Sequence, residues 1–327
     1  MLKKVAQVYN DAILTQAIEH YGLTKDQLTL IDSNTDVVHE YARADKTYIL
    51  KLIHSSQATR ELVCGEVDWV HHLADYGAPV SRPVLSGEGN LVEVVAAGSS
   101  YFTVVAYEKA PGGHVGYEQD EWNAELFQTC GRVVGQMHAL AKTYTPSDPA
   151  YKRPNWRELV RKERYPPGLD AVYAKRQQLM EHVQTLPKGR DAYGLIHGDF
   201  HSYNFSVYDA GITVFDLSEC NYAHFAYEIA IVLYHVLDLP YLGQDHDRFG
   251  RFFMEHFMPA YNRENRLDPY WETEMDNFLR LREISIYSYI HVNWDYETDQ
   301  AVQDWMEACL YRIMNDQPIA NIDWNFG

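Results

Sequence analysis

Apolar positions recur at helical spacing between residues 4 and 21 (Val5, Val8, Ala12, Ile13, Ala17, Ile18) and stop at Tyr21-Gly22. That pattern predicts a helix closed by a glycine cap. The period then shortens. Leu28 to Ile31 runs into the polar turn Asp32-Ser33-Asn34-Thr35, Val37 to Tyr41 into the turn Arg43 to Lys46, and Tyr48 to Ile53 comes next. Short apolar runs joined by polar turns predict an antiparallel meander. A helix is expected over 57–75, closed by Tyr76-Gly77-Ala78-Pro79, with further strands at Leu91 to Val95 and Tyr101 to Tyr107.

At Glu108-Lys109-Ala110-Pro111-Gly112-Gly113 the pattern breaks, and Pro-Gly-Gly is strong punctuation. Helical spacing dominates the rest of the chain: 120–143, 154–163, 168–185, 224–238, 247–262, 268–289 and 300–315. The exception is 195–216, a loop with short strands at Asn204 to Tyr208 and Ile212 to Phe215 around Asp209-Ala210-Gly211. The expected class is α+β in two lobes. A small antiparallel sheet with a helix spans 1–106, and a larger, mostly helical lobe spans 107–327. No repeat or low-complexity tract interrupts this layout. The six basic residues of 152–164 are broken up by Glu158 and Glu163 and read as a solvated helix face.

Composition narrows the partners. The 327 residues are 46% hydrophobic, enough for a sizeable core, and carry a net charge of -18. Residues 1–200 hold 21 basic and 25 acidic side chains, residues 201–327 hold 7 and 21, and no lysine occurs after Lys188. Such a surface repels phosphate backbones and anionic lipid, so nucleic acid and membrane are not expected partners, whereas a cationic small molecule would suit it. The cysteines (Cys64, Cys130, Cys220, Cys309) form no CxxC pair, which excludes a zinc ribbon or redox motif and fits a reducing cytoplasm. The start Met1-Leu2-Lys3-Lys4 leads into no apolar signal core, and the run Phe225 to Leu237 is broken by Glu228 and His235.

The chemistry concentrates in Leu195-Ile196-His197-Gly198-Asp199-Phe200-His201-Ser202-Tyr203-Asn204-Phe205. Val214-Phe215-Asp216 then places an aspartate twelve residues after Asn204. Phosphoryl transfer from a nucleotide needs such groups. One carboxylate accepts the proton of the attacking hydroxyl, further oxygens hold magnesium, and a positioned lysine neutralises phosphate charge. Lys51 sits alone in the apolar run Ile49 to Ile53, where an unpaired charge would be costly. Glu66, in the following helix, is its expected partner.

These residues resemble the aminoglycoside phosphotransferase / choline kinase / homoserine kinase superfamily, small-molecule kinases with a protein-kinase-like fold. The family's loop, H-G-D-hydrophobic-H-x-x-N, matches His197 to Asn204 at every fixed position. Its metal aspartate matches Asp216, its strand lysine Lys51, its helix glutamate Glu66, its Pro-Gly hinge Tyr107 to Gly112, and its G-x-x-x-G-x-x-H helix Gly131, Gly135 and His138. The resemblance runs from about residue 20 to 315 and implies ATP and Mg²⁺ as cofactors. It assigns Asp199 as base, Asn204 and Asp216 to magnesium, and Lys51, held by Glu66, to the ATP phosphates. The glycine-free turn containing Ser33, Asn34 and Thr35 would cover the phosphates, and backbone near Val105 and Tyr107 would receive adenine. His197 would brace the loop. The acid after Asp216 is displaced to Glu219, and the family's later aspartate is Glu228 here, read as a structural tie between its helix and the catalytic loop.

Three rivals use the same residues. His197, Asp199 and His201 could serve a metal-dependent hydrolase, but this leaves Lys51, Asn204 and Asp216 without a role. A non-catalytic kinase-like binding protein would not need four polar residues in apolar settings. A protein kinase would need a Gly-rich loop and an activation segment, yet only 11 residues separate Asp216 from Glu228. The acceptor is therefore expected to be small and amine-bearing, such as an aminoglycoside, homoserine or a choline-like alcohol. The aromatic stretch bounded by Glu283 and Asp295, with Trp294, could hold an ammonium group. The same spacing also fits a core stripe through Ile284, Tyr287, Ile290 and Trp294.

Overall fold

Alternating runs and helical runs both form, with instructive differences at their ends. The computed structural model describes residues 3–158, 168–238 and 245–324. Helices α1 (Lys3–Val8) and α2 (Asp11–Glu19) precede strands β1 (Leu28–Asp32), β2 (Val37–Arg43) and β3 (Lys46–His54). Then come α3 (Arg60–Asp75), β4 (Pro83–Val84), β5 (Glu93–Ala97), β6 (Ser100–Glu108), α4 (Ala124–Ala141) and α5 (Asp170–Thr185). The remainder is β7 (Tyr193–Ile196), β8 (Phe205–Tyr208), β9 (Gly211–Val214), β10 (Asn221–His224), α6 (Phe225–Leu237), α7 (His246–Glu264), α8 (Met275–Asn293) and α9 (Gln300–Met314).

The single helix expected over 4–21 is two, because Asn10 is extended and its side chain accepts from the N–H groups of Ala12 and Ile13. An asparagine in that role starts a helix instead of continuing one. The helix expected at 268–289 begins as a 3₁₀ turn, Pro269–Glu274, before α8. The helix expected at 154–163 lies partly outside the described residues. Strands β7 and β10, which pair with each other, were not expected. Four residues are too few to show a period.

The chain forms two units. A sheet unit comprises Met1–Gly113, Tyr144–Arg153 and Phe205–Ser218, and a helical unit comprises His114–Thr143, Pro154–Asn204 and Glu219–Gly327. The expected boundary at 106 falls inside β6. The β8–β9 hairpin joins the sheet unit through backbone bonds. Val207 exchanges them with Gly113 (2.8 and 3.2 Å), and Val214 bonds Pro79 and Ser81 (both 2.8 Å).

In the sheet unit the strand order is β1-β2-β3-β6-β4, with β5 also on β6, and the pairings are antiparallel. Leu50, Leu52, Val37, Phe102, Val104 and Ala106 bury one face together with Val5, Ile13 and Ala17 of the leading helices. Complete burial of one such aliphatic side chain contributes about 2 kcal/mol. On the other face Ile53 and Val105 pack with Val63 and Val67 of α3. Because side chains alternate along a strand, Lys51 points to this α3 face, opposite Val38 on β2 and Val105 on β6.

In the helical unit α4 lies closely against α7. A Cβ added at Gly131 would stand 2.2 Å from the Phe257 carbonyl oxygen, and one at Gly135 2.7 Å from that of Tyr261. His138, one turn on, is buried and bonds the Tyr261 hydroxyl at 2.8 Å. Its ring also stacks on Phe225. The G-x-x-x-G-x-x-H spacing is thus a packing device. No described helix is long and apolar enough to cross a membrane.

Candidate active site

The polar residues gather in two clusters, one in each unit. In the sheet unit, Lys51 Nζ lies 3.0 Å from Asp36 Oδ2 and 3.2 Å from Asp216 Oδ1. Burial alone would lower the Lys51 pKa, but the charges of Asp216 and Asp36 raise it, so the ammonium is retained. For Asp36 burial prevails over the lysine and pushes its carboxyl up. Asp216, just past β9, has φ of 57°. A non-glycine residue held in this region is strained, and such strain concentrates at functional positions.

Glu66 departs from expectation. It is buried in α3 but is not an ion-pair partner of Lys51; its Oε1 accepts from the Tyr107 hydroxyl at 3.3 Å. Burial raises its pKa in spite of Lys51 and Arg153. Asp36 does not stand out in the sequence, where the 33–36 turn offers only backbone donors. Yet Asp36 directly precedes Val37 and Val38, the residues opposite Leu52 and Lys51, so register delivers its carboxylate to the lysine. Arg153, expected on a solvated face, is instead buried. It donates to Leu62 O (2.7 Å) and Ser218 O (2.5 Å), and so ties α3 to the segment after Asp216.

In the turn expected to cover the phosphates, the N–H groups of Ser33 and Asn34 donate to Asp32 Oδ1 (2.7 and 3.1 Å), and Thr35 O accepts from Gln57 (2.5 Å). The donors expected to meet phosphate are therefore engaged by the chain's own carboxylate. Val105 and Tyr107, expected at the adenine, lie within β6. Val105 pairs with β3, and Tyr107 has β3 on one side and β4 on the other. Glu108 N–H donates to Arg82 O and Lys109 N–H to Thr47 O.

In the helical unit the H-G-D loop leaves β7 at Ile196. The Glu228 carboxylate, in the first turn of α6, accepts the N–H groups of both His197 and Gly198. Gly198 has φ of 85°, and a Cβ there would lie 2.5 Å from Glu219 O, so only glycine fits. His197 is buried, and its Nδ1 accepts from Asp199 N–H at 3.3 Å. The Asp199 carboxylate is gripped at both oxygens. Arg282 Nη2 donates to Oδ1, and His201 Nε2 lies 3.2 Å from Oδ2. His235 Nε2 lies 2.6 Å from Arg282 Nη2 and 3.7 Å from Asp199 Oδ1. Burial opposes ionisation of Asp199, yet the hydrogen bond from His201 and the charge of Arg282 hold its carboxyl well below the usual range. Burial and Arg282 together push the His235 pKa far down. His235 is thus the neutral acceptor of the arginine. Asn204 Nδ2 donates to Asp199 O at 2.8 Å, leaving its carbonyl oxygen for a cation.

Arg282 and His235 were not among the residues expected at the site. The available signal was a charge in an apolar helical run (Phe278, Leu279, Leu281, Ile284), the same cue that marked Lys51. Glu283, expected to face substrate, is 1% exposed, and its Oε1 accepts from Arg312 Nε at 2.8 Å and Nη2 at 2.6 Å. The buried carboxylate is therefore neutralised by the half-buried Arg312. The aromatic stripe divides. Ile284, Tyr287 and Ile290 are buried, whereas Trp294 at the end of α8 is 54% exposed and Asp295 is also exposed. Among the described residues, His197, Asp199 and His201 do not converge their ligand atoms on one point. That disfavours the hydrolase reading.

A β-rich unit carrying a lysine–aspartate pair, with a helical unit carrying a braced H-G-D loop, defines a kinase-like phosphotransferase. The sequence profile of the phosphotransferase enzyme family matches residues 32–283, and the chain belongs to that family. It is a small-molecule kinase. Amicoumacin kinase of Bacillus subtilis (strain 168) is 36% identical over 330 residues, covering 99% of this chain and 97% of the relative. Amicoumacin kinase hAmiN, solved with AMP-PNP, Ca²⁺ and Ami, superposes with a TM-score of 0.92 at 34% identity over 99% of both chains. A microcompartment-associated aminopropanol kinase shares the fold at TM-score 0.73 and 19% identity, over 94% of this chain and 98% of its own.

Proposed function

We propose that the protein transfers the γ-phosphate of ATP, with Mg²⁺, to a hydroxyl of amicoumacin or a closely similar amine-bearing acceptor. The observation that carries the acceptor class is the 36% identity to amicoumacin kinase over essentially the whole chain. The AMP-PNP and Ca²⁺ in the hAmiN complex support nucleotide and divalent-metal use. The braced, ionised Asp199 carries the chemistry.

Asp199 is the base that orients the acceptor hydroxyl. A loose phosphoryl transition state asks mainly for positioning, which Glu228, Arg282 and His201 supply. Lys51 meets the phosphates by exchanging Asp36 for phosphate oxygen. Asn204 and Asp216 offer the hard oxygen donors that magnesium prefers. The commitment of the Asn204 amide nitrogen to Asp199 O, which turns its carbonyl oxygen free, fits that use. These oxygens would hold a magnesium ion, which would supply charge neutralisation at the phosphates. Trp294 and Asp295 remain candidates for holding the acceptor's ammonium group, and Glu283 does not.

The test presents ATP and Mg²⁺ with amicoumacin, aminopropanol, homoserine, choline and hygromycin B, and reads ADP release and the acceptor's mass. Phosphorylation of amicoumacin is expected. Turnover on another acceptor alone would overturn the acceptor assignment and leave the chemistry standing. Asp199→Asn is expected to lower kcat roughly 10³-fold while nucleotide affinity holds. Lys51→Ala is expected to impair use of ATP. Full turnover in either variant would overturn its assigned role.

A further inference from the structure

Three side chains outside the kinase clusters meet in the sheet unit. His20 ends α2, Glu88 lies in the turn before β5, and Glu93 opens β5. His20 Nδ1 lies 3.3 Å from Glu88 Oε1 and 3.6 Å from Glu93 Oε2, and the three ligand atoms fall within 4.8 Å of one another. Charge-assisted N–H···O bonds are about 2.7–2.9 Å long, and neither of these contacts is a hydrogen bond. Ligand atoms around a tetrahedral zinc, at Zn–N and Zn–O lengths of about 2.0–2.2 Å, stand about 3.3–3.5 Å apart. The two His20 spacings, which are ion-pair distances when the ring is protonated, also match the edges of such a polyhedron, and the two carboxylate oxygens come within 4.8 Å of each other.

The surroundings are built for the purpose. Glu93 is buried, and its Oε1 accepts from Ser86 Oγ (2.5 Å) and Asn90 Nδ2 (3.1 Å), which turns Oε2 toward His20. Ser86 Oγ also accepts from the N–H groups of Glu88 (3.1 Å) and Asn90 (3.2 Å), fixing the turn that carries Glu88. Gly87 N–H donates to His20 O at 2.7 Å, fastening this turn to the end of α2. Outer partners that orient each ligand are the usual companions of a metal site. Glu88, 64% exposed at its side chain, leaves the fourth position open to water.

We propose that His20 Nδ1, Glu88 Oε1 and Glu93 Oε2 bind a zinc-class divalent cation that fastens α2 to the loop leading into β5. An imidazole nitrogen with two carboxylates selects zinc, cobalt or nickel over magnesium. The site is separate from the magnesium ligands Asn204 and Asp216, and it does not depend on the acceptor assignment.

The test uses the full chain, stripped with chelator and dialysed, then titrated with ZnCl₂ by calorimetry and with CoCl₂ by visible absorption. One zinc per chain, tetrahedral cobalt bands and a zinc-dependent rise in Tm are expected. Glu88→Gln, at an exposed position where folding is not at stake, should weaken zinc binding more than about tenfold and abolish the Tm rise, and His20→Asn should do the same. Absence of zinc binding, or equal affinity in the parent and Glu88→Gln proteins, would overturn the proposal. Equal affinity would place the bound ion at other residues.

Discussion

Arg282, from the middle of α8 and largely buried, donates to Asp199 Oδ1 and is hydrogen-bonded to a neutral His235. The Asp199 carboxylate is thus held ionised against its burial by the hydrogen bond from His201 together with the charge of an arginine brought from 83 residues away in the chain.

Replacing Arg282 by Gln removes the positive charge and leaves the burial that opposes ionisation of Asp199. The Asp199 pKa then rises, so the acidic limb of kcat/KM against pH should move upward by about one unit or more. Arg282→Lys should recover part of the shift. Rates measured across pH decide this, and an unmoved limb would show that Arg282 acts only by packing.

Glu228, 1% exposed, receives two backbone N–H groups of the H-G-D loop. Glu228→Ala leaves both donors buried without their acceptor, at about 2–3 kcal/mol. The expected result in initial-rate kinetics is a fall in kcat of tenfold or more with the KM for ATP changed less than about threefold. Denaturant midpoints should record the stability loss.

Gly131→Ala would place a methyl group against the Phe257 carbonyl and force α4 and α7 apart, costing about 1–3 kcal/mol. Gly189, with nothing within 4 Å of an added Cβ, is the control. Gly189→Ala should stay within about 0.5 kcal/mol. Thermal unfolding of the pair checks both.

Burial pushes the Asp238 carboxyl up to about 7, although the hydrogen bond from Trp305 acts in the other direction. In the unfolded chain it ionises near pH 4. The unfolded state therefore holds fewer protons between pH 4 and 7, and the native state loses stability as pH rises through that window. Asp238→Asn keeps an acceptor for Trp305 and removes the titration. Its stability gain should be near zero at pH 4 and grow to roughly 4 kcal/mol by pH 8. A gain independent of pH would refute the assignment.

Most of the fold was legible because it arises from local period. The meander from Leu28 to His54 alternates at two, and the helices from Ala124 onward repeat at 3.6. Element ends were less legible. Asn10 looks like any polar surface position until its side chain is seen capping α2. The hairpin at 205–214 could not be assigned to the sheet unit from sequence, because its bonds to Pro79, Ser81 and Gly113 span about a hundred residues.

The catalytic loop is a property of the primary structure. Its functional groups lie within eight consecutive residues, and local chain geometry suffices to bring them together. That Lys51 must be paired is equally legible there, since a lone charge in an apolar strand is too costly to leave unmatched. The identity of its partners came from the folded chain alone. Strand register set Asp36 against Lys51, the bonds of Val214 to Pro79 and Ser81 anchored the segment that brings Asp216 there, and Glu66 turned to Tyr107. Helix packing brought Arg282 to Asp199 and Arg312 to Glu283. Which buried charge meets which depends on contacts between distant segments, and no spacing along the chain encodes that choice.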